Sequence, residues 1–140
     1  MIEFIESPIH ITLSIISKKW AVEIINELFT GRKRYSDLLE LNQSISSKVL
    51  SERLKELYNE EIIDKIITNM IPLKIKYQLT EKGRFLNRIL FELAIFGSLF
   101  YRGKILEKNI KHENDIINYF GSSYKIDPEE QHRARKRYNL

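Results

Sequence analysis

Residues 44–83 read SISSKVLSERLKELYNEEIIDKIITNMIPLKIKYQLTEKG, and the change of period inside this stretch decides the fold. After Ser46 or Ser47, either of which can cap the free N–H groups of a first turn, apolar residues recur at steps of three and four: Leu50, Leu54, Leu57 and Tyr58. That spacing puts them on one stripe of a helix over about 46–59. From Lys74 to Leu79 the period drops to two, with Lys74, Lys76 and Gln78 on one side and Ile75, Tyr77 and Leu79 on the other, the pattern of a half-buried strand. Its expected partner is Ile62 to Thr68, and TNMIPL between them carries the Asn and Pro of an exposed turn. A helix running directly into a two-stranded ribbon, about 62–79, has the order of a recognition helix and a wing. Such a pair offers a helix to the major groove of DNA and a hairpin to the flanking backbone.

Opposite the apolar stripe of that helix stand Lys48, Val49, Glu52, Lys55, Glu56 and Asn59, with Ser51 and Arg53 on the flanks. Lysine suits guanine or phosphate, Val49 a thymine methyl, Glu52 the amino group of cytosine, and Arg53 a phosphate. The plainer reading of the same residues is a solvated helix face. Upstream, Leu13, Ile16, Trp20, Ile24 and Leu28 repeat at helical spacing and stop near Gly31, which predicts one scaffold helix with Trp20 in the core rather than serving as a ligand platform. YSDLLEL then predicts a short helix starting at Tyr35 and Ser36. Its free N–H groups suit a DNA phosphate, reinforced by Arg34. Thr80 is placed to cap the helix after the ribbon, with Glu81 in its first turn.

The 140 residues, 43% of them hydrophobic, suffice for one main fold plus an appendage. Without cysteine the chain has no disulfide staple, thiolate catalysis or cysteine-ligated zinc site. The opening MIEFIESPIH is acidic and too short in apolar run for a signal peptide, so a cytoplasmic protein is expected. A formal charge of +4 is too small to imply nucleic acid by itself. Its distribution is informative, because basic residues gather at Arg32, Lys33 and Arg34, on the ribbon, and in the terminal HRARKR. His10, His112 and His132 are isolated, and no phosphate loop, nucleophile elbow or catalytic carboxylate pair is present. Neither an enzyme nor a metal or cofactor site is expected.

Four patches in this order, TLSIISKKW (12–20), LFTGRKRYSDL (28–38), ISSKVLSERLKEL (45–57) and PLKIKYQLTEKG (72–83), resemble the HxlR-type regulators. These are a winged-helix family within the MarR-like group of bacterial and archaeal transcription factors, and the resemblance spans about Ser7 to Gly97. It implies a homodimer on double-stranded, palindromic operator DNA, with Ser47, Lys48, Ser51 and Arg53 facing the duplex, and it implies repression or activation of nearby genes. Three departures stand out. Ser7 occupies the place where many members carry a cysteine, which removes thiol sensing. Glu61 replaces a frequent glycine between helix and wing, a turn that would then use Asn59 in the left-handed region. Lys76 stands where relatives often have an acidic residue, which makes the wing more cationic.

Arg84 to Tyr101 predicts a helix with more apolar surface than one domain can bury. Leu86, Leu90, Leu93, Gly97 and Phe100 form one seam, and Phe85, Ile89, Phe96 and Leu99 a second. Arg84, Arg88 and Glu92 exclude a membrane span, so the surplus is expected to pack on a second subunit together with Leu13 of the first helix; the alternative is a helix buried within the monomer. Past Arg102 the resemblance ends. Ile105, Ile110, Ile116, Ile117 and Phe120 suggest more helix, stopped at Gly121, and Asp127 with Pro128 starts a last one ending in HRARKR. Its basic residues serve either helix-dipole complementarity or a phosphate-contacting arm. The chain is therefore read as mostly α with a small β-ribbon: a winged helix-turn-helix domain over 1–101, including a dimerisation helix, and a helical extension over 102–140. The second functional reading is a winged-helix adaptor that binds protein in transcription without reading DNA. No effector pocket is identifiable.

Overall fold

The computed structural model of the chain describes Glu3, residues 5–101 and residues 113–140. Its elements are α1 (Pro8–Ile16), α2 (Ala21–Phe29), β1 (Lys33–Arg34), α3 (Tyr35–Leu39), α4 (Ser47–Asn59), β2 (Ile63–Met70), β3 (Leu73–Leu79), α5 (Glu81–Arg84), α6 (Asn87–Phe100), α7 (Glu113–Ser123) and α8 (Pro128–Tyr138). The strands make one antiparallel sheet in the order β1-β3-β2. This is the winged helix-turn-helix arrangement. The chain divides into two compact units, Met1–Arg84 and Phe85–Leu140. The boundary expected after Tyr101 falls earlier because α6 packs on α7, and α7 on α8.

In the first unit the expected scaffold helix is two helices. Ser7 accepts from the His10 N–H and starts α1, with Pro8 at the first helical position. The chain then breaks between Ile16 and Ala21, where Trp20 takes a left-handed φ of 72° and lies half-buried rather than in the core. The apolar repeat runs through this break, so periodicity alone does not reveal it. A long-range bond accompanies it: the Lys19 carbonyl, outside both helices, accepts from Arg53 Nε on α4 at 3.0 Å.

The core joins Ile24 and Ile25 of α2, Leu38 of α3, Leu50, Leu54 and Leu57 of α4, and Ile63 and Leu79 of the sheet. Ser46 caps α4 by accepting from the Val49 N–H. Tyr58, expected on the inner stripe, is exposed and carries the Lys65 ammonium 4.9 Å from its ring centre. At the end of α4 the left-handed residue is Glu61 itself, φ 57°, not Asn59. Its conformation lets the Ile62 N–H reach back to the Leu57 carbonyl at 2.9 Å, the bond that closes a helix whose terminal carbonyls would otherwise be orphaned.

The wing strands are longer than expected, since β2 continues to Met70 and pairs with Leu73, leaving Ile71 and Pro72 as the turn. β1 adds a third strand, with Lys33 opposite Tyr77 and Arg34 opposite Lys76. Thr80 then caps α5 by accepting from the Gly83 N–H at 3.0 Å. Gly83 is required there, because a Cβ would lie 2.1 Å from the Ile62 carbonyl oxygen.

In the second unit, α6 begins at Asn87, after a turn at Phe85 and Leu86. It buries Leu90, Phe91, Ile95 and Ser98. Leu86 and Leu90, expected in a partner interface, are thus inside the chain, and Gly97 is half-buried; Ile89, Leu93, Phe96 and Phe100 remain exposed. α7 runs through Gly121 to Ser123 instead of stopping at the glycine, whose missing Cβ makes room for the Gln131 side chain. Asp127 caps α8 by accepting from the Glu130 N–H at 2.9 Å, with Pro128 at the first position. Ile105 and Ile110 lie outside the described residues. No described helix is long and apolar enough to cross a membrane.

Candidate nucleic-acid interface

The N-terminal half of α4 is held from the side by Tyr35, the first residue of α3. The Tyr35 hydroxyl donates to the Ser47 carbonyl at 2.8 Å and lies 3.0 Å from the Ser51 hydroxyl. Ser51, expected to face DNA, therefore shares its oxygen with a scaffold residue. Beyond Tyr35 the surface becomes a cleft of about 740 Å³ lined by Arg34, Tyr35 and Ser36 on one side and by Thr68 and residues 73–77 of the wing on the other. Tyr35 is thus the joint between helix and wing: its hydroxyl fixes α4 while the residue lines the cleft that reaches Lys74 and Lys76.

Which charges on this surface are free follows from their partners. Ser47, Lys48, Glu52 and Lys55 are exposed along α4, and Val49 is half-buried beside them. Among the described residues Lys48, Lys55, Lys74 and Lys76 have no ion-pair partner, and neither has Glu52. Glu56 differs, because Lys18 pairs with it at 3.2 Å and Arg53 bonds to it as well.

Two expected contact residues have other work. Arg53 keeps only 12% of its side chain exposed and spans the Lys19 carbonyl and the Glu56 carboxylate. It braces α4 against the chain before α2 and is not available to a phosphate. Arg34 bonds Asp37 through its backbone N–H at 2.8 Å and through its guanidinium at 2.8 and 3.2 Å. Those bonds hold the Asp37 carboxyl down to about 2, with the guanidinium hydrogen bond the main cause. The start of α3 is therefore already supplied with an anion, and Arg34 offers a phosphate only a shared charge. On the cleft wall, burial pushes the Tyr77 hydroxyl above its ordinary value, with Tyr35 adding to the shift. It stays neutral.

Arg32 stands out in the sequence only as part of a basic cluster, and its Nε–H donates to Gln78 Oε1 at 3.1 Å beside the sheet; sequence reasoning did not single out Thr68, which bonds the Lys74 carbonyl within the wing. No periodic signal marks either, since both depend on the β1–β3 and β2–β3 registers. The C-terminal basic run is also committed internally. Arg133 pairs with Glu129 and Glu130, Arg135 bonds Asn118, and Arg137 holds Glu92 and Glu130. Helix pairing and packing thus engage those three arginines within the second unit.

A model described as HxlR-like helix-turn-helix matches residues 15–104 of the chain. The uncharacterized HTH-type transcriptional regulator YtcD of Bacillus subtilis (strain 168) is 38% identical over 90 residues, covering 64% of this chain and 71% of that protein. Its crystal structure aligns with a TM-score of 0.64 at 38% identity over 66% of this chain and 95% of the other. The reduced form of the transcriptional regulator YodB from B. subtilis aligns at 35% identity with a TM-score of 0.63, over 69% of this chain and 95% of that one. The redox regulator HypR in its oxidised form aligns at 29% identity with a TM-score of 0.61, over 66% and 95% of the two chains.

Proposed function

The chain belongs to the HxlR-like helix-turn-helix family of transcriptional regulators, and from that membership we propose that it reads palindromic double-stranded operator DNA as a homodimer. It is a regulator with a DNA-binding fold, not an enzyme. In this reading α4 enters the major groove by its N-terminal end, with Ser47, Lys48, Val49, Glu52 and Lys55 toward bases and phosphates. Lys74 and Lys76 of the wing hold the flanking backbone, and Ser36 lines the same track. The observation that carries the proposal is the Tyr35 joint, since one residue bonds the reading helix and also lines the cleft leading to the wing lysines. Helix and wing then act as one surface, as base contacts specify and phosphate contacts position.

The homodimer rests on the apolar residues that α6 leaves in water, Ile89, Leu93, Phe96 and Phe100, and on Leu13 of α1. A stripe of that length on a helix is the usual mark of a partner surface. A two-fold dimer presents two copies of α4 to two half-sites, which is why a palindrome is expected. A protein that works on operator DNA in this way acts in the cytoplasm. The adaptor reading is disfavoured because the outer face of α4 is polar and charged, with Val49 half-buried, whereas protein-docking surfaces centre on aromatic or long aliphatic anchors.

The test is a gel shift against the DNA upstream of the protein's own gene beside a shuffled duplex of equal length, with light scattering of the free protein. Two chains per duplex and a clear preference for the upstream DNA are expected. Equal affinity for both duplexes removes the sequence-reading claim, and no binding at low salt returns the adaptor.

A further inference from the structure

The wing ends in an apolar tip that its own unit leaves uncovered: Ile67 is 55% exposed, Met70 70%, Ile71 90% and Leu73 60%. Met70 and Leu73 face each other across the last strand pair, Ile71 follows in the turn, and Ile67 lies opposite Ile75 further down the hairpin. Apolar groups gathered in water are unfavourable, and a concentrated patch of them marks a contact. The surrounding charge identifies the partner. From Lys65 to Lys76 the hairpin carries three lysines and no carboxylate, and Lys74 and Lys76 have no ion-pair partner among the described residues. A phosphate backbone neutralises such unpaired ammonium groups, which flank the apolar tip on the same hairpin.

We propose that the wing tip is a wedge for double-stranded DNA: with Lys74 and Lys76 on phosphates, Met70 and Ile71 enter the minor groove beside the half-site and press between two base pairs. Isoleucine and methionine are among the residues that unstack a step and kink the duplex toward the major groove, and pyrimidine–purine steps yield at least cost. The wedge rests on the DNA-reading function and adds to it a preference for deformable sequence at positions no side chain reads by hydrogen bonding.

The experiment uses duplexes selected from a random library by the wild-type protein, carrying 2-aminopurine at successive steps outside the half-site and a fluorophore pair at the ends. The wild type is expected to brighten one 2-aminopurine step per half-site and to shorten the end-to-end distance. Met70→Ser with Ile71→Ser should lose both signals and about tenfold or more in affinity, while keeping the salt slope, because every lysine remains. Tight wild-type binding without brightening, or a serine variant that keeps both signals, overturns the wedge and leaves the DNA reading standing. A serine variant that changes oligomeric state by light scattering would assign the tip to a second copy and overturn it too. Failure to select any sequence refutes the underlying function instead. Circular dichroism confirms that the variant is folded.

Discussion

Lys48 and Arg53 lie on one helix with the same charge, yet their surroundings give them opposite work. Lys48 is exposed and unpaired among the described residues, so Lys48→Ala should leave the unfolding midpoint unchanged and cost about 1–3 kcal/mol of discrimination at one position of each half-site. Arg53 bonds the Lys19 carbonyl and Glu56. Arg53→Ala should therefore lower stability by about 1–3 kcal/mol in urea unfolding, because it strips partners from half-covered polar groups; an unchanged midpoint would return Arg53 to the DNA-contact set. Glu52 is a free carboxylate among the lysines of α4. Facing a polyanion it opposes binding to every sequence except one that offers it a donor, so Glu52→Gln should tighten binding to random duplexes and shrink the preference for the operator. Asp37 has a pH signature. Its folded carboxyl sits at about 2, below the ordinary 3.8, so the Arg34 pairing supports the fold fully above about pH 4 and that support fades as pH falls toward 2. Carboxyl NMR titration should find Asp37 lowered in the wild type and returned toward the ordinary value by Arg34→Met.

At the level of elements, the helix–wing pair was legible because a change from period 3.6 to period 2 is local: Leu50, Leu54 and Leu57 are buried, and the alternation after Lys74 leads to a buried Leu79. What escaped was set by distant partners. The break before Trp20 comes with a bond from α4, β1 is only two residues long and exists through Tyr77 and Lys76, and Tyr35 becomes a joint only when α3 and α4 are packed. In the sequence the arginines of HRARKR suit either helix-dipole complementarity or a nucleic-acid arm, and only the fold brings Glu92, Asn118 and Glu130 to them, with Glu130 left 6% exposed. Two element-scale outcomes follow from this packing. Leu93→Glu with Phe100→Glu alters side chains that α6 leaves exposed, so the chain should stay helical by circular dichroism while light scattering shows monomers; a monomeric wild type at micromolar concentration would reject α6 as the interface. Gly83→Ala forces a methyl onto the Ile62 carbonyl oxygen. It should cost about 1–3 kcal/mol in thermal or urea unfolding, because α5 must move away from the end of α4.

The whole molecule combines a modest charge with an uneven distribution, and its sequence carries no cysteine. A net charge of +4 over 140 residues gives little general attraction for nucleic acid. Attraction is concentrated instead where Lys48, Lys55, Lys74 and Lys76 stand unpaired among the described residues, so operator binding should weaken steeply with salt, and Lys74→Ala with Lys76→Ala should flatten that dependence on all sequences alike. One of the similar structures is a redox regulator, HypR, seen in an oxidised form. This chain has no cysteine, and Ser7, which resembles the position of a cysteine in many members, accepts a hydrogen bond from His10 at the start of α1. Disulfide formation, sulfenic acid chemistry and thiol alkylation have no atom to act on. Operator affinity should therefore be the same before and after diamide, measured by gel shift on protein that remains folded by circular dichroism. The oxidisable sulfurs are those of Met1 and Met70, and Met70 is exposed at the wing tip. Strong peroxide, unlike diamide, converts such a side chain to a polar sulfoxide, so it should weaken binding in the wild type and spare Met70→Leu. Loss of binding under diamide alone would mean that oxidation reaches the regulator by a route other than its own sulfur.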